Sequence, residues 1–129
     1  MAMGKIVRHN DQEVYQRAVE AAMRIHQASK SSPKEETYSL TDQVRRSSRS
    51  FCANLAEAWR KRRKAAFISK LSDAEGEAAE TEVWIELAKR CTYLTRDEAD
   101  SLYTAYEAII RTIVGMINHP ETWIICDTS

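Results

Sequence analysis

One segment of this chain repeats apolar or small residues at alternating steps of four and three over more than three heptads. The repeat is carried by Phe67, Leu71, Ala74, Ala78, Thr81, Ile85 and Ala88. This spacing places them on one stripe of an α-helix and is typical of a helix seated in a bundle. No proline occurs between Lys34 and His119, so nothing in that window forces a helix to break.

Three further segments show the same stepping. The predicted helices span about 11–29, 41–60, 64–91 and 96–118. Four amphipathic helices with short links predict an all-α fold, an antiparallel up-and-down four-helix bundle in which residues 1–129 form a single domain. The tail, residues 119–129, contains the apolar run Trp123-Ile124-Ile125-Cys126. We expect this run to dock on its own subunit or on a partner.

Local signals mark where the helices begin. Thr95, followed three residues later by Glu98, is the pattern of a capping box and predicts the start of the fourth helix. Asn10 is expected to cap the first helix, and Ser39 or Thr41 the second. The boundary between the second and third helices carries no Gly or Pro, so the basic residues 60–64 either end one helix or bridge to the next.

Gly76 lies inside the predicted third helix. A glycine in a helix interior costs about 1 kcal/mol relative to alanine, so its presence needs a reason. We interpret it as a position where a neighbouring helix approaches closely.

Composition limits the classes of function. Nineteen basic and nineteen acidic residues give a net charge of zero, so overall charge favours neither nucleic acid nor membrane as a partner. The three cysteines, Cys52, Cys91 and Cys126, are far apart in the sequence, which predicts reduced thiols rather than a disulfide framework or a zinc site. There is no apolar stretch of the ~20 residues that a membrane span needs and no signal-peptide pattern. We therefore expect a soluble cytoplasmic protein without membrane contact.

Basic residues cluster in one short region of the chain. They are Arg45, Arg46, Arg49, Arg60, Lys61, Arg62, Arg63 and Lys64. Arginine forks at this density can bind phosphate groups, which makes the cluster a candidate nucleic-acid surface. The same residues can equally form a subunit contact or a solvated face.

The predicted third helix carries an acidic stretch that contains no Lys or Arg. Its members are Asp73, Glu75, Glu77, Glu80, Glu82 and Glu86. A basic second helix of one subunit facing this stretch on the next subunit would make a charge-complementary interface. We favour an interface or a solvated face over RNA binding for these charges.

Two polar residues of the predicted second helix, Asn54 and Glu57, lie three positions apart. We expect them to act structurally, because a buried asparagine in a bundle can fix the register of helices through a hydrogen bond.

Catalytic and metal-binding patterns are missing from the sequence. None of the three histidines follows a glutamate by three positions, as the di-iron sites of helical bundles require. The sequence also lacks a Gly-rich phosphate loop and a nucleophile elbow. We expect a protein that is not an enzyme, with no catalytic residue, cofactor or metal.

Two ordered blocks of residues within 38–117 resemble a known family. The first is Thr41-Asp42-Gln43, Arg45-Arg46, Ser47-Ser48 and Asn54-Leu55-Ala56-Glu57. The second is Phe67-Ile68-Ser69-Lys70-Leu71, Ala74-Glu75-Gly76-Glu77, Glu80-Thr81 and Trp84-Ile85. The chain resembles the four-helix-bundle proteins of the ribosomal RNA intervening-sequence type, which are related to the accessory protein of diversity-generating retroelements. The resemblance implies a left-handed bundle and a homopentamer, and it assigns no established biochemical activity.

Three hypotheses for function follow. The first is a non-enzymatic, self-assembling bundle that acts as an interaction scaffold, with a second copy of itself and a protein as partners. The second is an RNA-binding accessory protein that uses the basic cluster. The third is a bundle that binds a small ligand or a metal.

Overall fold

A computed structural model describes residues 13–123 of the chain. The four helices are α1 (Glu13–Ala28), α2 (Asp42–Ala58), α3 (Lys64–Arg90) and α4 (Arg96–Asn118). Each helix packs against the next, and α1 also packs against α4. Residues 13–123 include no strand. The predicted all-α four-helix bundle is therefore confirmed.

The heptad stripes face a shared core. All the residues of the predicted α3 stripe are buried, from Phe67 to Ala88. In the core Phe51 of α2 lies against Tyr106 of α4, with ring centroids 5.8 Å apart. Trp59 and Phe67 meet edge to face at the α2–α3 end, at 6.1 Å. Periodicity correctly predicted which side of each helix is buried.

The start of α4 has the predicted capping box. Thr95 Oγ1 accepts a hydrogen bond from the Glu98 backbone N–H at 3.1 Å, and Glu98 Oε1 accepts one from the Thr95 N–H at 3.1 Å. The predicted cap of α1, Asn10, lies outside the described residues.

The predicted cap of α2 is wrong. Neither Ser39 nor Thr41 caps the helix, because a wider helical turn over Thr37–Thr41 runs directly into Asp42–Ala58 and supplies its backbone acceptors. Glu36 takes the capping position instead and accepts a hydrogen bond from the Leu40 N–H at 3.4 Å.

Glu36 also connects the α1–α2 link to the link between α3 and α4. Ser39 Oγ donates to its carboxylate at 2.6 Å, and the Tyr93 hydroxyl donates at 2.8 Å. These hydrogen bonds lower the pKa of Glu36, because they favour its ionised form. The bond from Ser39 has the largest effect. The α1–α2 link is thereby fixed against the α3–α4 corner.

The link between α2 and α3 is short and basic. Helix α2 ends at Ala58, with Trp59 as its C-cap, and α3 begins at Lys64. Residues 60–64 therefore end one helix and start the next rather than bridging them in one continuous helix.

The interpretation of Gly76 as a contact with a neighbouring helix is wrong for the described residues. A Cβ built at Gly76 has no atom within 4 Å, and the residue is exposed. Within residues 13–123, nothing in the fold requires a glycine there.

A short 3₁₀ turn, Pro120–Thr122, follows α4 and packs against α3. Trp123 is partly buried against the core, and the rest of the predicted docking run, Ile124-Ile125-Cys126, lies outside the described residues. Within the described part of the chain, no helix is long and apolar enough to cross a membrane.

Candidate functional site

Two arginines of α2 reach the C-terminal end of α1. Arg45 Nε donates to Ser29 Oγ at 2.7 Å, and Arg49 Nη2 lies 3.4 Å from His26 Nδ1. The pKa of His26 is lowered. The largest cause is partial desolvation, and the positive charges of Arg45, Lys30 and Arg49 contribute less. These two arginines are therefore engaged inside the chain, at the helix end where cations are favoured.

Arg46 points the other way, toward α3 of the same chain. Its guanidinium forms an ion pair with Glu80 and lies 3.6 Å from Glu77 Oε1. Glu80 also accepts a hydrogen bond from Trp84 Nε1 at 3.1 Å. For Arg46, the expected contact between a basic α2 and an acidic α3 is thus made within one subunit rather than between two.

The remaining five basic residues, Arg60–Lys64, form the basic loop. Among residues 13–123, none of the five forms an ion pair. The start of α3 has no side-chain cap and no acidic residue in its first turn, so the positive end of its dipole adds to this charge. The predicted basic cluster is therefore divided into three engaged arginines and a loop of unpaired cations.

Helix α3 separates its acidic residues into two rows. The row beside α2 is Asp73, Glu77 and Glu80, and each of the three lies within ion-pair distance of a cation of the same chain. Lys70 Nζ lies 2.9 Å from Glu57 and 3.9 Å from Asp73, and Arg46 holds the other two.

The row beside α4, which we call the α4-side row, is Glu75, Glu82 and Glu86. Glu86 pairs with Arg90 at 2.9 Å. Neither Glu75 nor Glu82 has a cation within ion-pair distance among the described residues. Among the described residues, Glu75 of this row therefore keeps an unpaired negative charge.

Glu82 faces another carboxylate, Glu107 of α4. The pKa of Glu82 is raised to about 8. Burial is the largest cause, and the hydrogen bond and the charge of Glu107 add to it. Glu82 Oε2 is buried and has no donor among the described side chains; with its pKa raised to about 8, the Glu82 carboxyl keeps its proton near neutral pH and donates it to Glu107. The exposed Tyr103 lies in the field of both acids, which raises the pKa of its hydroxyl.

Between its two acidic rows, α3 presents an outer stripe without charge. Its members are Ala65, Ser69, Ser72, Gly76, Ala79, Val83 and Leu87, and all are exposed. They follow steps of three and four on the side opposite the core. Val83 and Leu87 are 55% and 40% exposed, so the stripe is apolar at its C-terminal end.

The predicted polar pair does not lie in the core. Asn54 is half-buried and Glu57 is exposed, with Glu57 engaged by Lys70 at 2.9 Å. The buried polar contact between helices is Ser47 with Thr81, at 2.8 Å. Sequence reasoning missed this contact, although a serine and a threonine at core positions of two adjacent stripes were its signal.

Ser47, Ser48 and Cys52 of α2 are poorly placed to act as nucleophiles. Ser47 and Ser48 are buried, and each lies within hydrogen-bond distance of a backbone carbonyl of its own helix. Burial raises the pKa of the Cys52 thiol to about 11. Within residues 13–123, no group of three or more His, Cys, Asp or Glu could hold a metal ion.

A small apolar cavity lies at the end of the core where α1 ends and α2 begins. Its lining includes Ile25, Leu40, Trp84 and Leu102, and its volume is about 20 Å³. This is about the space of one water molecule, so the cavity has no room for a cofactor.

These surfaces belong to a segment that matches a family of known proteins. The family model described as 23S rRNA-intervening sequence protein matches residues 10–115. The chain belongs to this family. The match includes the basic loop, the outer stripe and both acidic rows, and it ends before the tail.

A solved structure gives the same picture of the intervening-sequence family. It is a protein with unknown function from the S23 ribosomal protein family of Bacteroides thetaiotaomicron VPI-5482, with 33% sequence identity and a TM-score of 0.74. The alignment covers 81% of this chain and 97% of that one. No curated protein matches the chain. The family resemblance seen in the sequence is confirmed, and no specific activity comes with it.

Proposed function

We propose that this protein is a non-enzymatic scaffold that assembles with copies of itself through the outer stripe of α3. The observation that carries this proposal is Gly76, an exposed glycine in the middle of the longest helix with no atom near its missing side chain. Such a glycine costs about 1 kcal/mol; within the uncharged outer stripe, Gly76 leaves room for another chain to approach the helix backbone.

The surroundings of Gly76 support a helix-sized contact. The stripe from Ala65 to Leu87 is about 33 Å long at the helical rise. It is uncharged over this length, while charged residues occupy both of its borders. Small residues allow close helix approach, and the exposed Val83 and Leu87 supply apolar area that association would bury.

A homo-oligomer fits the charge of the chain better than an RNA complex does. The net charge is zero, and three of the eight arginines and lysines of the basic cluster are engaged by groups of their own chain. The number of copies that the family resemblance implies is five. We place the assembly in the cytoplasm, in keeping with the free thiols of Cys52 and Cys91.

RNA binding through the basic loop is the competing function. The family description names ribosomal RNA intervening sequences, and unpaired cations beside a helix N-terminus suit phosphate groups. Reversing the charge of the basic loop and measuring both assembly and RNA binding separates the two functions.

The test is the mass of the protein in solution by light scattering at micromolar concentration. We expect an oligomer for the wild type and a shift to monomer for Gly76→Leu, whose side chain blocks close approach. Gly115→Leu is the matched control, since Gly115 is also exposed, helical and without neighbours within 4 Å. Leucine favours helix at both positions, so neither change threatens folding. A monomeric wild type, or equal behaviour of the two variants, would contradict the proposal.

A further inference from the structure

We infer that the basic loop, Arg60–Lys64, binds the α4-side acidic row of a second copy of this chain. The acceptor on the second copy is Glu75 and Glu82 of α3 together with Glu107 of α4. The inference rests on the proposed self-assembly and names the charged contact that orients it.

Among residues 13–123, the basic loop forms no ion pair, and Glu75 and Glu82 of the α4-side row have no cation within ion-pair distance. On the α2 side, every acid of the row has Arg46 or Lys70 within ion-pair distance. On the α4 side, Glu86 alone of the row has a cation, Arg90. The unpaired positive loop and the unpaired negative row are complementary, and both are exposed or half-exposed.

The basic loop and the α4-side row are too far apart to meet within one chain. Lys64 opens α3 and Glu75 lies eleven residues further along the same helix, which is about 16 Å. Glu82 and Glu107 lie further still from the loop. A lysine or arginine side chain is too short to cross this distance, so the loop and the row can pair with each other only between two copies of the chain.

The electrostatic surroundings of each cluster are unfavourable in the isolated chain. Arg63 and Lys64 occupy the N-terminal end of α3, where the helix dipole repels cations and favours anions. Glu82 and Glu107 are two acids held together across the α3–α4 groove, where burial and the neighbouring Glu107 disfavour ionisation of Glu82. A carboxylate brought to the loop and a cation brought to the groove relieve both repulsions.

In a head-to-tail arrangement, the loop of one copy meets the groove of the next and leaves its own groove free, whereas a two-fold dimer would make this contact twice. A head-to-tail contact closes into a ring when the rotation between neighbours allows it. The outer stripe lies beside the acidic row on the same helix, so the charged contact flanks the apolar one and sets its direction.

The experiment is a charge exchange measured by sedimentation velocity at low and high salt. Reversing the loop (Arg62→Glu, Arg63→Glu, Lys64→Glu) is expected to raise the dissociation constant of assembly by about tenfold or more. The helix dipole favours these glutamates, so the variant folds. Reversing the groove (Glu75→Lys, Glu107→Lys) is expected to weaken assembly similarly, and a chain carrying both sets is expected to assemble again.

A matched control reverses three exposed cations at the opposite end of the bundle: Lys30→Glu, Lys34→Glu and Arg96→Glu. It changes net charge equally and is expected to leave assembly intact. A wild type that is monomeric would overturn the proposed function itself. An assembling wild type whose loop variant also assembles, or a combined variant that does not recover, would overturn only this contact. Loss of binding to a labelled structured RNA in the loop variant, with assembly unchanged, would assign the loop to RNA instead.

Discussion

Ser47 of α2 and Thr81 of α3 share a 2.8 Å hydrogen bond in the fully buried centre of the bundle. Thr81 also lies 2.8 Å from the Glu77 carbonyl, whereas Ser47 lies 3.4 Å from that of Val44. Each hydroxyl has one proton, so Thr81 donates to its own helix and Ser47 donates across to Thr81. This bond fixes how α2 and α3 are aligned.

We predict that Ser47→Ala and Thr81→Val each lower the free energy of unfolding by about 1 kcal/mol. In either variant the remaining hydroxyl keeps a backbone carbonyl as acceptor, so neither cost includes a stranded donor. The double variant should lose less than the sum of the two, since the shared bond can be lost only once. Urea unfolding measures all four proteins. Strict additivity would show that the bond contributes nothing.

Tyr106→Phe is predicted to stabilise the protein by up to about 1 kcal/mol. The Tyr106 hydroxyl is buried and has no hydrogen-bond partner among the described residues, and burial raises the pKa of the phenol. Removing it relieves this cost while keeping the ring against Phe51. Thermal unfolding with Tyr106→Leu as the comparison tests this, because loss of the ring should instead destabilise. Lower stability of the phenylalanine variant would mean that the hydroxyl has a partner.

Glu82 predicts an unusual pH dependence of stability. Its pKa is raised from 4.5 to about 8 in the folded protein, so the folded state binds more protons than the unfolded state between these values. Stability contributed by this group is therefore present below about pH 4.5 and is lost as pH rises toward 8.

We expect Glu82→Gln to flatten this dependence and to exceed the wild type in stability at pH 8.5 by about 1 kcal/mol, a figure reduced for the partial exposure of the pair. Melting curves should be recorded on the Gly76→Leu background, where assembly does not contribute. Glu75→Gln, on the same row but without a facing carboxylate, is the control. Parallel pH profiles for wild type and Glu82→Gln would contradict a proton held by Glu82 near neutral pH.

The thiols should differ in reactivity. Cys91 is exposed and Cys52 is half-buried, and desolvation raises the pKa of the Cys52 thiol to about 11. Since the thiolate is the reactive form, a thiol reagent at pH 8 should label Cys91 rapidly. Cys52 should react only after denaturation. Peptide mass spectrometry on a Cys126→Ser chain measures both rates, and fast native labelling of Cys52 would show that the α2 core opens readily.

The buried face of each helix could be predicted because it depends on residue spacing alone. The α3 stripe from Phe67 to Ala88 is buried as expected, and the Thr95–Glu98 box caps α4 as expected. The start of α2 was mispredicted because Thr37–Thr41 was already helical. A capping residue cannot be recognised from its type when the turn before it supplies the backbone acceptors.

The bundle follows from the residue spacing alone. Each of the four amphipathic helices has an apolar stripe, and these stripes are buried stably only by packing against one another. Only the tertiary structure decided which charges remain unpaired. Arg46 meets Glu80 across thirty-four positions of sequence, and Glu82 meets Glu107 across the α3–α4 groove. Such contacts depend on how each helix is rotated about its axis. This rotation is set by the packing of the core and not by the local sequence. That rotation brings one acidic row of α3 to Arg46 and Lys70, leaves Glu75 and Glu82 without a cation among the described residues, and turns Gly76 outward.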